Sequence, residues 1–238
     1  MFSRKPLDDP RIARGMTAQF ALRAGRLSAG EKLIGWKAGF GAPTPLAKLK
    51  LEACLTGFMT DKGKLTSGET VTLSGWSKPA AEPEIAIYLG SDVSGGADAE
   101  AARAAISAIG PAIELVDLRP PLGDVEAILA ANIFHRHVVF GEPDTTRAGA
   151  NVAGLTARVV RNGSETANTS EVEALTGPLV AIVQRVADTV AGMGETLRKG
   201  EVIIAGSLMA PIFLNANDRE LSYALDPIGS ISLSFGEG

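Results

Sequence analysis

Glu82-Pro83-Glu84-Ile85-Ala86-Ile87-Tyr88-Leu89, closed by Gly90-Ser91-Asp92, reads as a β-strand with an acidic head. The apolar run from Ile85 to Leu89 has strand length and is bounded by turn residues. Side chains alternate faces along a strand, so Glu82 and Glu84 point the same way. Two carboxylates about 5 Å apart repel by roughly 1 kcal/mol in water and by several at an intermediate dielectric. If that face is buried, something must offset the repulsion. A divalent cation does so, and oxygen ligation by a few carboxylates leaves coordination positions open for substrate. The competing reading is a solvated acidic pair on an edge strand, which Pro83 favours because proline donates nothing to a ladder.

Further along the chain, Pro111-Ala112-Ile113-Glu114-Leu115-Val116-Asp117 forms a second strand-like run with one acid among apolar residues, and Glu114 is the natural third ligand. Between the two, alanine-rich Ala97 to Ile109 reads as a helix that Gly110-Pro111 ends. Toward the N-terminus, Asp9-Pro10 opens a helix to about Leu27, with Asp9 as cap and Pro10 in the first turn. Gly35-Trp36-Lys37-Ala38-Gly39-Phe40-Gly41 reads as a strand entering a turn, Thr44 to Leu51 as a helix, and Gly57 to Leu73 as short strands about Asp61-Lys62-Gly63-Lys64. Toward the C-terminus, Asp124 to Ala131 reads as a short helix and Val138 to Gly141 as a strand. A hairpin turns at Asn162-Gly163. Glu173 to Gly192 reads as the longest helix, Val202 to Ala205 as a strand, and Ile228 to Phe235 as a half-buried closing strand. Strands outnumber helices without regular βα alternation, which predicts a mixed, β-rich α+β fold.

The 238 residues, 45% hydrophobic, suffice for a substantial core. A net charge of −4 with scattered basic residues gives no footprint for nucleic acid. The most apolar stretches, 178–190 and 202–214, are broken by Gln184, Arg185, Asp188, Ser207 and Pro211, so no membrane span is expected. The first ten residues lack the apolar stretch of a secretory signal. Cys54 is the single cysteine, which excludes an intrachain disulfide and suits a reducing cytoplasm; among Leu51 and Leu55 it reads as a buried side chain rather than a nucleophile. No phosphate-binding loop, dinucleotide fingerprint or G-x-S-x-G elbow is present.

Taken as an ordered set, Gly35-Trp36-Lys37-Ala38-Gly39, Glu82-Pro83-Glu84-Ile85-Ala86, Pro111 through Arg119, and Gly200-Glu201-Val202-Ile203-Ile204-Ala205-Gly206-Ser207-Leu208 resemble the 2-keto-4-pentenoate hydratases of the fumarylacetoacetate hydrolase superfamily. The resemblance covers nearly the whole chain. It implies a mixed β-roll core with peripheral helices, residues 1–60 packing as a helical and strand segment on a metal-binding core of 61–238. It implies Mg²⁺ or Mn²⁺ held by Glu82, Glu84 and Glu114, an active-site Lys37, and Ser207 near the carboxylate of a small 2-oxo acid. A homo-oligomer is implied, with a dimer as the default.

This chain also departs from the family pattern. Leu55-Thr56-Gly57 stands where hydratases carry Asp-Phe-Gly or Asp-Tyr-Gly, removing an acid associated with water activation. Ala131-Asn132-Ile133-Phe134-His135-Arg136-His137 stands for Asp-Asn-Ala-Ser-Ser-Gly, and Met209 for a threonine. His135 is therefore a candidate acid or base, and Asn132, Arg136 and Arg119 are candidate substrate contacts. Structural hydrogen bonds in a loop, or a His-x-His transition-metal site, are the alternatives for the 135–137 segment, and pairing with Asp117 or Asp124 the alternative for Arg119. The expected activity is a metal-dependent hydratase acting through an enolate in a degradative pathway. Decarboxylation or C–C hydrolysis on the same scaffold, or a catalytically silent subunit, are the alternatives.

Overall fold

The computed structural model describes residues 4–236. One mixed sheet is built from β1 (Leu33–Gly39), β2 (Leu55–Thr60), β3 (Lys64–Leu65), β5 (Pro79–Leu89), β6 (Ile106–Asp117), β7 (His135–Phe140), β10 (Val202–Ile204) and β11 (Ile212–Phe213). Its order is β2-β1-β10-β5-β6-β7-β3, with β11 also on β5. The two ends of this order, β2 and β3, are joined by a single turn at Asp61–Gly63, so the sheet curls into a roll. A second sheet runs β4 (Thr70–Thr72), β13 (Gly229–Gly236), β12 (Glu220–Asp226), β8 (Thr156–Arg161) and β9 (Ser164–Thr169). The helices α1 (Pro10–Ser28), α2 (Pro43–Leu49), α3 (Ala99–Ala105), α4 (Val125–Ala130) and α5 (Leu179–Gly192) lie around them. This is the mixed β-roll with peripheral helices that the sequence led us to expect.

Period-two alternation splits the residues of β5 and β6 between two interiors. Ile85, Ile87, Ile113 and Leu115 pack with Tyr223, Leu221 and Ile231 of the second sheet and with Val183 and Val186 of α5 in the main core. Ala86 and Ala112 face the other way and meet Met59, Val138 and Ile204 inside the roll. The acidic residues occupy that inner face.

Several boundaries differ from the sequence reading. The helix expected over Ala97 to Ile109 covers only Ala99–Ala105, because Ile106 and Ile109 are fully buried as the start of β6, and Gly110-Pro111 lie within that strand. Helix α5 begins at Leu179 rather than Glu173: Gly177 is left-handed at φ 79°, and the Glu173 carboxylate accepts from Leu179 N at 2.8 Å, acting as a cap outside the helix. The longest helix is consequently α1, with 19 residues. Strand β7 begins at His135, three residues before the expected start. Strand β12, whose Leu221, Tyr223 and Leu225 alternate inward, escaped the reading altogether.

Pro83 does not mark an edge. β5 is central, and its ladder to β6 runs from Pro79↔Asp117 to Leu89↔Ile106. On its other side, β10 pairs with residues 86–88 and β11 with residues 80–81, leaving no ladder between them. Pro83 O accepts from Leu208 N across that interval at 2.9 Å, so the nitrogen that lacks a proton faces the interruption and costs the sheet nothing.

Candidate active site

Glu82 sits directly opposite Glu114 in the β5–β6 ladder, and Glu84 lies two residues along on the same face. One oxygen from each carboxylate falls within 4.8 Å of the others. Glu84 and Glu114 are fully buried, and Glu82 is half-buried. Glu84 Oε2 accepts from Gly206 N at 2.7 Å, while Glu84 Oε1 has no partner. Glu114 Oε1 accepts from both Lys37 Nζ and His135 Nδ1, the latter at 2.6 Å, while Glu114 Oε2 has no partner. Buried carboxylate oxygens without partners are costly and call for an explanation. A hard cation accepting all three acids supplies one, and the all-oxygen donor set fits Mg²⁺ or Mn²⁺ better than a softer metal.

Electrostatics agree with that fit. Burial, then the charge on Glu114, pushes Glu82 up to about 7 against the opposing pull of Lys37. Burial, then Glu114 and Glu82, raises Glu84 well above the usual carboxylate range. Burial would raise Glu114 too, but Lys37 and His135 outweigh it and hold that group low. Burial lowers His135, so its imidazole is neutral at neutral pH, with Nδ1–H donating to Glu114 and Nε2 left without a partner.

The side chains around this cluster come from distant strands. Lys37 on β1 pairs with Ile204 of β10 in parallel, Ile204 pairs with Ala86 of β5 in antiparallel, and this path across the sheet carries the ammonium to Glu114 and to Ile133 O at 3.3 Å. Its stem crosses Gly57, where a Cβ would sit 2.9 Å from Lys37 Cγ. Asn132, Ile133 and Phe134 are all left-handed, with φ of 51°, 50° and 62°. Such residues cost about 1–2 kcal/mol each. Asn132 secures the turn by donating to Phe58 O and accepting from Phe58 N, both at 2.9 Å. A bulge follows: Leu115 pairs with His137 but Val116 with His135, so Arg136 is the extra residue and His135 is turned onto the Glu114 face.

Beside the carboxylates lies a cavity of about 430 Å³ lined by Lys37, Glu82 and Ser207, with apolar walls that include Phe40, Pro45, Val116, Leu118, Leu122 and Met209. Ser207 Oγ donates to Met209 O at 2.8 Å. The expected residues thus divide. Glu82, Glu84, Glu114, Lys37 and His135 converge, and Ser207 borders the cavity. Asn132 is committed to the β2 backbone rather than aimed at a ligand. Arg119 holds Asp117, which caps Ser77 N and Lys78 N, and Arg136 lies over the Trp76 ring at 5.0 Å; neither lines the cavity. Cys54 also lines the cavity, its thiol pushed up to about 11 by burial despite Arg185. Sequence reasoning missed Gly206 N, Ile133 O and the space at Gly57; of these only Gly57, a glycine within a strand pattern, carried a signal.

The family model described as fumarylacetoacetate (FAA) hydrolase C-terminal matches residues 41–233. The chain belongs to this family. It is 30% identical to the 2-hydroxyhexa-2,4-dienoate hydratase of Comamonas testosteroni over 89% of its length and 81% of the relative's. It is 28% identical to a 4-oxalocrotonate decarboxylase from Pseudomonas sp., over 91% and 84%. Among solved structures, the 4-oxalocrotonate decarboxylase from Pseudomonas putida G7, complexed with magnesium and adipate, superposes with a TM-score of 0.86 at 22% identity, covering 94% of this chain and 86% of that one. The fumarylpyruvate hydrolase from Pseudomonas aeruginosa, in complex with Mn²⁺ and pyruvate, gives 0.68 at 10% identity, covering 87% and 90%. At these identities both establish the fold alone.

Proposed function

We propose that this chain is a divalent-cation-dependent lyase that hydrates a small 2-hydroxydienoic acid, with Glu82, Glu84 and Glu114 as ligands for Mg²⁺ or Mn²⁺. The observation that carries the reading is the pair of buried, unpartnered oxygens, Glu84 Oε1 and Glu114 Oε2, on one face beside the Lys37 cavity. When bound, the cation supplies charge stabilisation for a 2-oxo acid that loses or gains a proton at C3. Lys37 holds Glu114 in place and stands at the cavity wall, where its ammonium can move a proton to or from the substrate. His135 shares Glu114 Oε1 with Lys37, which keeps Oε2 turned toward the other two acids. In the overall reaction the hydroxyl of water adds to C4, and the other proton of water and the proton lost from the 2-hydroxyl end on C3 and C5, which turns the 2-hydroxy-2,4-diene into a 4-hydroxy-2-oxo acid. Gly206 N–H orients Glu84, and Ser207 borders the end of the cavity that takes the substrate head.

Decarboxylation is the second reading, favoured by one position. Leu55 is fully buried with Leu49, Leu129 and Ile133, so the site that in hydratases carries an acid is here part of an apolar cluster. A reaction releasing carbon dioxide has no water to activate.

Residues 1–60 and 61–238 form one structural unit in this reading, supported by the place of β1 and β2 within the β5–β6 sheet. Among the described residues no helix is long and apolar enough to cross a membrane. We place the enzyme in the cytoplasm as a homo-oligomer, with a dimer as the default. Incubation with Mg²⁺ and 2-hydroxypenta-2,4-dienoate or 2-hydroxyhexa-2,4-dienoate should bleach the dienoate absorbance, and a chelator should stop it. Absence of metal-dependent change with these acids and with 4-oxalocrotonate would refute the lyase reading.

A further inference from the structure

We propose that the cavity selects acids with a single carboxylate and an extended apolar tail, and rejects dicarboxylates; this inference rests on the lyase reading above. The substrate head belongs at the Lys37, Glu82 and Ser207 end, where the polar groups gather. Among the described residues lining the cavity, only Lys37 and Glu82 are of basic or carboxylic type, and the Lys37 ammonium is committed to Glu114 and to Ile133 O. The remaining wall is mainly apolar, formed by Phe40, Pro45, Leu118, Leu122, Leu175 and Pro211, with the hydroxyls of Thr44 and Thr176 as its polar interruptions; Thr176 Oγ1 donates to Gly177 O at 3.0 Å.

Cations outside the lining are engaged with the protein itself: Arg185 donates through Nε to the carbonyl of the cavity-lining Cys54 at 3.3 Å. Arg119 grips Asp117 Oδ2 with Nε at 3.0 Å and Nη2 at 2.8 Å. Arg136 stacks over Trp76. Arg11 is bound to Asp9 and to the carbonyls of Leu49 and Lys50. A second carboxylate among these walls would lose water and meet no cation, with only the Thr44 and Thr176 hydroxyls to offset the loss, a costly form of burial.

Volume points the same way. The cavity, about 430 Å³, equals roughly fourteen water volumes, which leaves room for several carbons beyond those of a five-carbon acid. Gly39, Gly41, Ala42 and Ala210 contribute to this space by presenting little or no side chain. A methylene entering an apolar wall tightens binding by about three- to fourfold.

Calorimetric titration of the Mg²⁺-loaded protein tests this with saturated 2-oxo acids, which cannot be hydrated: 2-oxopentanoate, 2-oxohexanoate, 2-oxooctanoate and 2-oxoadipate. Affinity should rise about threefold for each added methylene, and 2-oxoadipate should bind at least about a hundredfold more weakly than 2-oxohexanoate. Leu122→Arg, at a partly exposed wall position, should narrow or reverse that last ratio. Affinities that stay flat or fall with tail length, or 2-oxoadipate binding as tightly as 2-oxohexanoate in the unsubstituted protein, would overturn the inference while leaving the lyase reading intact. Binding of none of the four acids would defeat the lyase reading and this inference with it.

Discussion

Replacing Glu84 by Gln should act in opposite directions on the metal-free and metal-bound protein. Glu84 is fully buried, with Oε2 on Gly206 N and Oε1 unpartnered, and its ligand oxygen lies within 4.8 Å of those of Glu82 and Glu114. At that separation each ionised pair repels by about 3 kcal/mol at an effective dielectric near 20. Protonation relieves part of this, so the relief obtained on removing one charge is smaller than the full pair energy. Glutamine keeps an oxygen for Gly206 N–H and turns an amide toward the remaining carboxylates, replacing repulsion with a hydrogen bond. The metal-free variant should therefore melt at the same temperature as the parent or a few degrees higher. The metal response should change the other way. A ligand at a hundredfold excess over its dissociation constant stabilises by about 2.7 kcal/mol. At about 2–4 °C per kcal/mol for a chain of this size, saturating Mn²⁺ should raise the parent's melting temperature by roughly 5–10 °C. In Glu84→Gln most of that rise should vanish. Thermal melts followed by circular dichroism, in chelator and in excess MnCl₂, read both effects. A variant that is clearly less stable without metal and still gains the parental increment with it would refute the metal-cradle reasoning.

Other perturbations probe the surrounding framework. Lys37→Met keeps the buried stem and removes the ammonium, so turnover should fall by about 10²–10⁴ with metal content retained; unchanged turnover would remove Lys37 from the chemistry. Gly35→Ala would set a Cβ 1.9 Å from Val202 O at a φ of +153°, forcing the β1–β10 seam apart; a loss beyond about 4 kcal/mol is expected, visible as insolubility or collapse of the melting temperature. Asp218 resists burial by pairing with Arg161 and accepting from Asn215 N at 2.7 Å, which together hold its carboxyl below the usual range. A depressed folded value means that its stabilisation is present above the unfolded value near 4 and is lost as pH falls through the folded one. Asp218→Asn should thus cost roughly 2 kcal/mol at neutral pH and flatten the acid limb of the stability profile, measured by urea unfolding between pH 7 and pH 3. An acid limb as steep as the parent's would discount this pair.

Local signals in the sequence were read with most success. The cap at Asp9 lies beside the helix it serves, its side chain accepting from Arg11 N, so a few neighbouring residues hold the information; the caps at Asp98 and Asp124, which act the same way, appear in the structure. The Asn162-Gly163 turn defines its hairpin for the same reason, with both residues left-handed. Failures arose where local preference met a buried neighbour. The alanine-rich stretch before Ile106 favours helix, yet Ile106 and Ile109 gain more by joining the ladder to β5. Pro83 argues for an edge on its own, and only the interval between β10 and β11 makes a central position tolerable.

By itself the sequence determined that Glu82 and Glu84 share a face, that Glu114 lies on another apolar strand, and that the ordered motifs belong together. Strand alternation and residue type decide those matters without reference to partners. Only the tertiary structure decided that Glu114 stands opposite Glu82, that Lys37 reaches it from 77 residues away, and that a bulge at Arg136 turns His135 onto the same carboxylate. Register, bulges and neighbouring strands are chosen by the packing of the whole roll, an energy summed over residues far apart in the chain. The same packing withdrew Asn132, Arg119 and Arg136 from the cavity and left its far wall without a cation, properties that no stretch of residues carries alone.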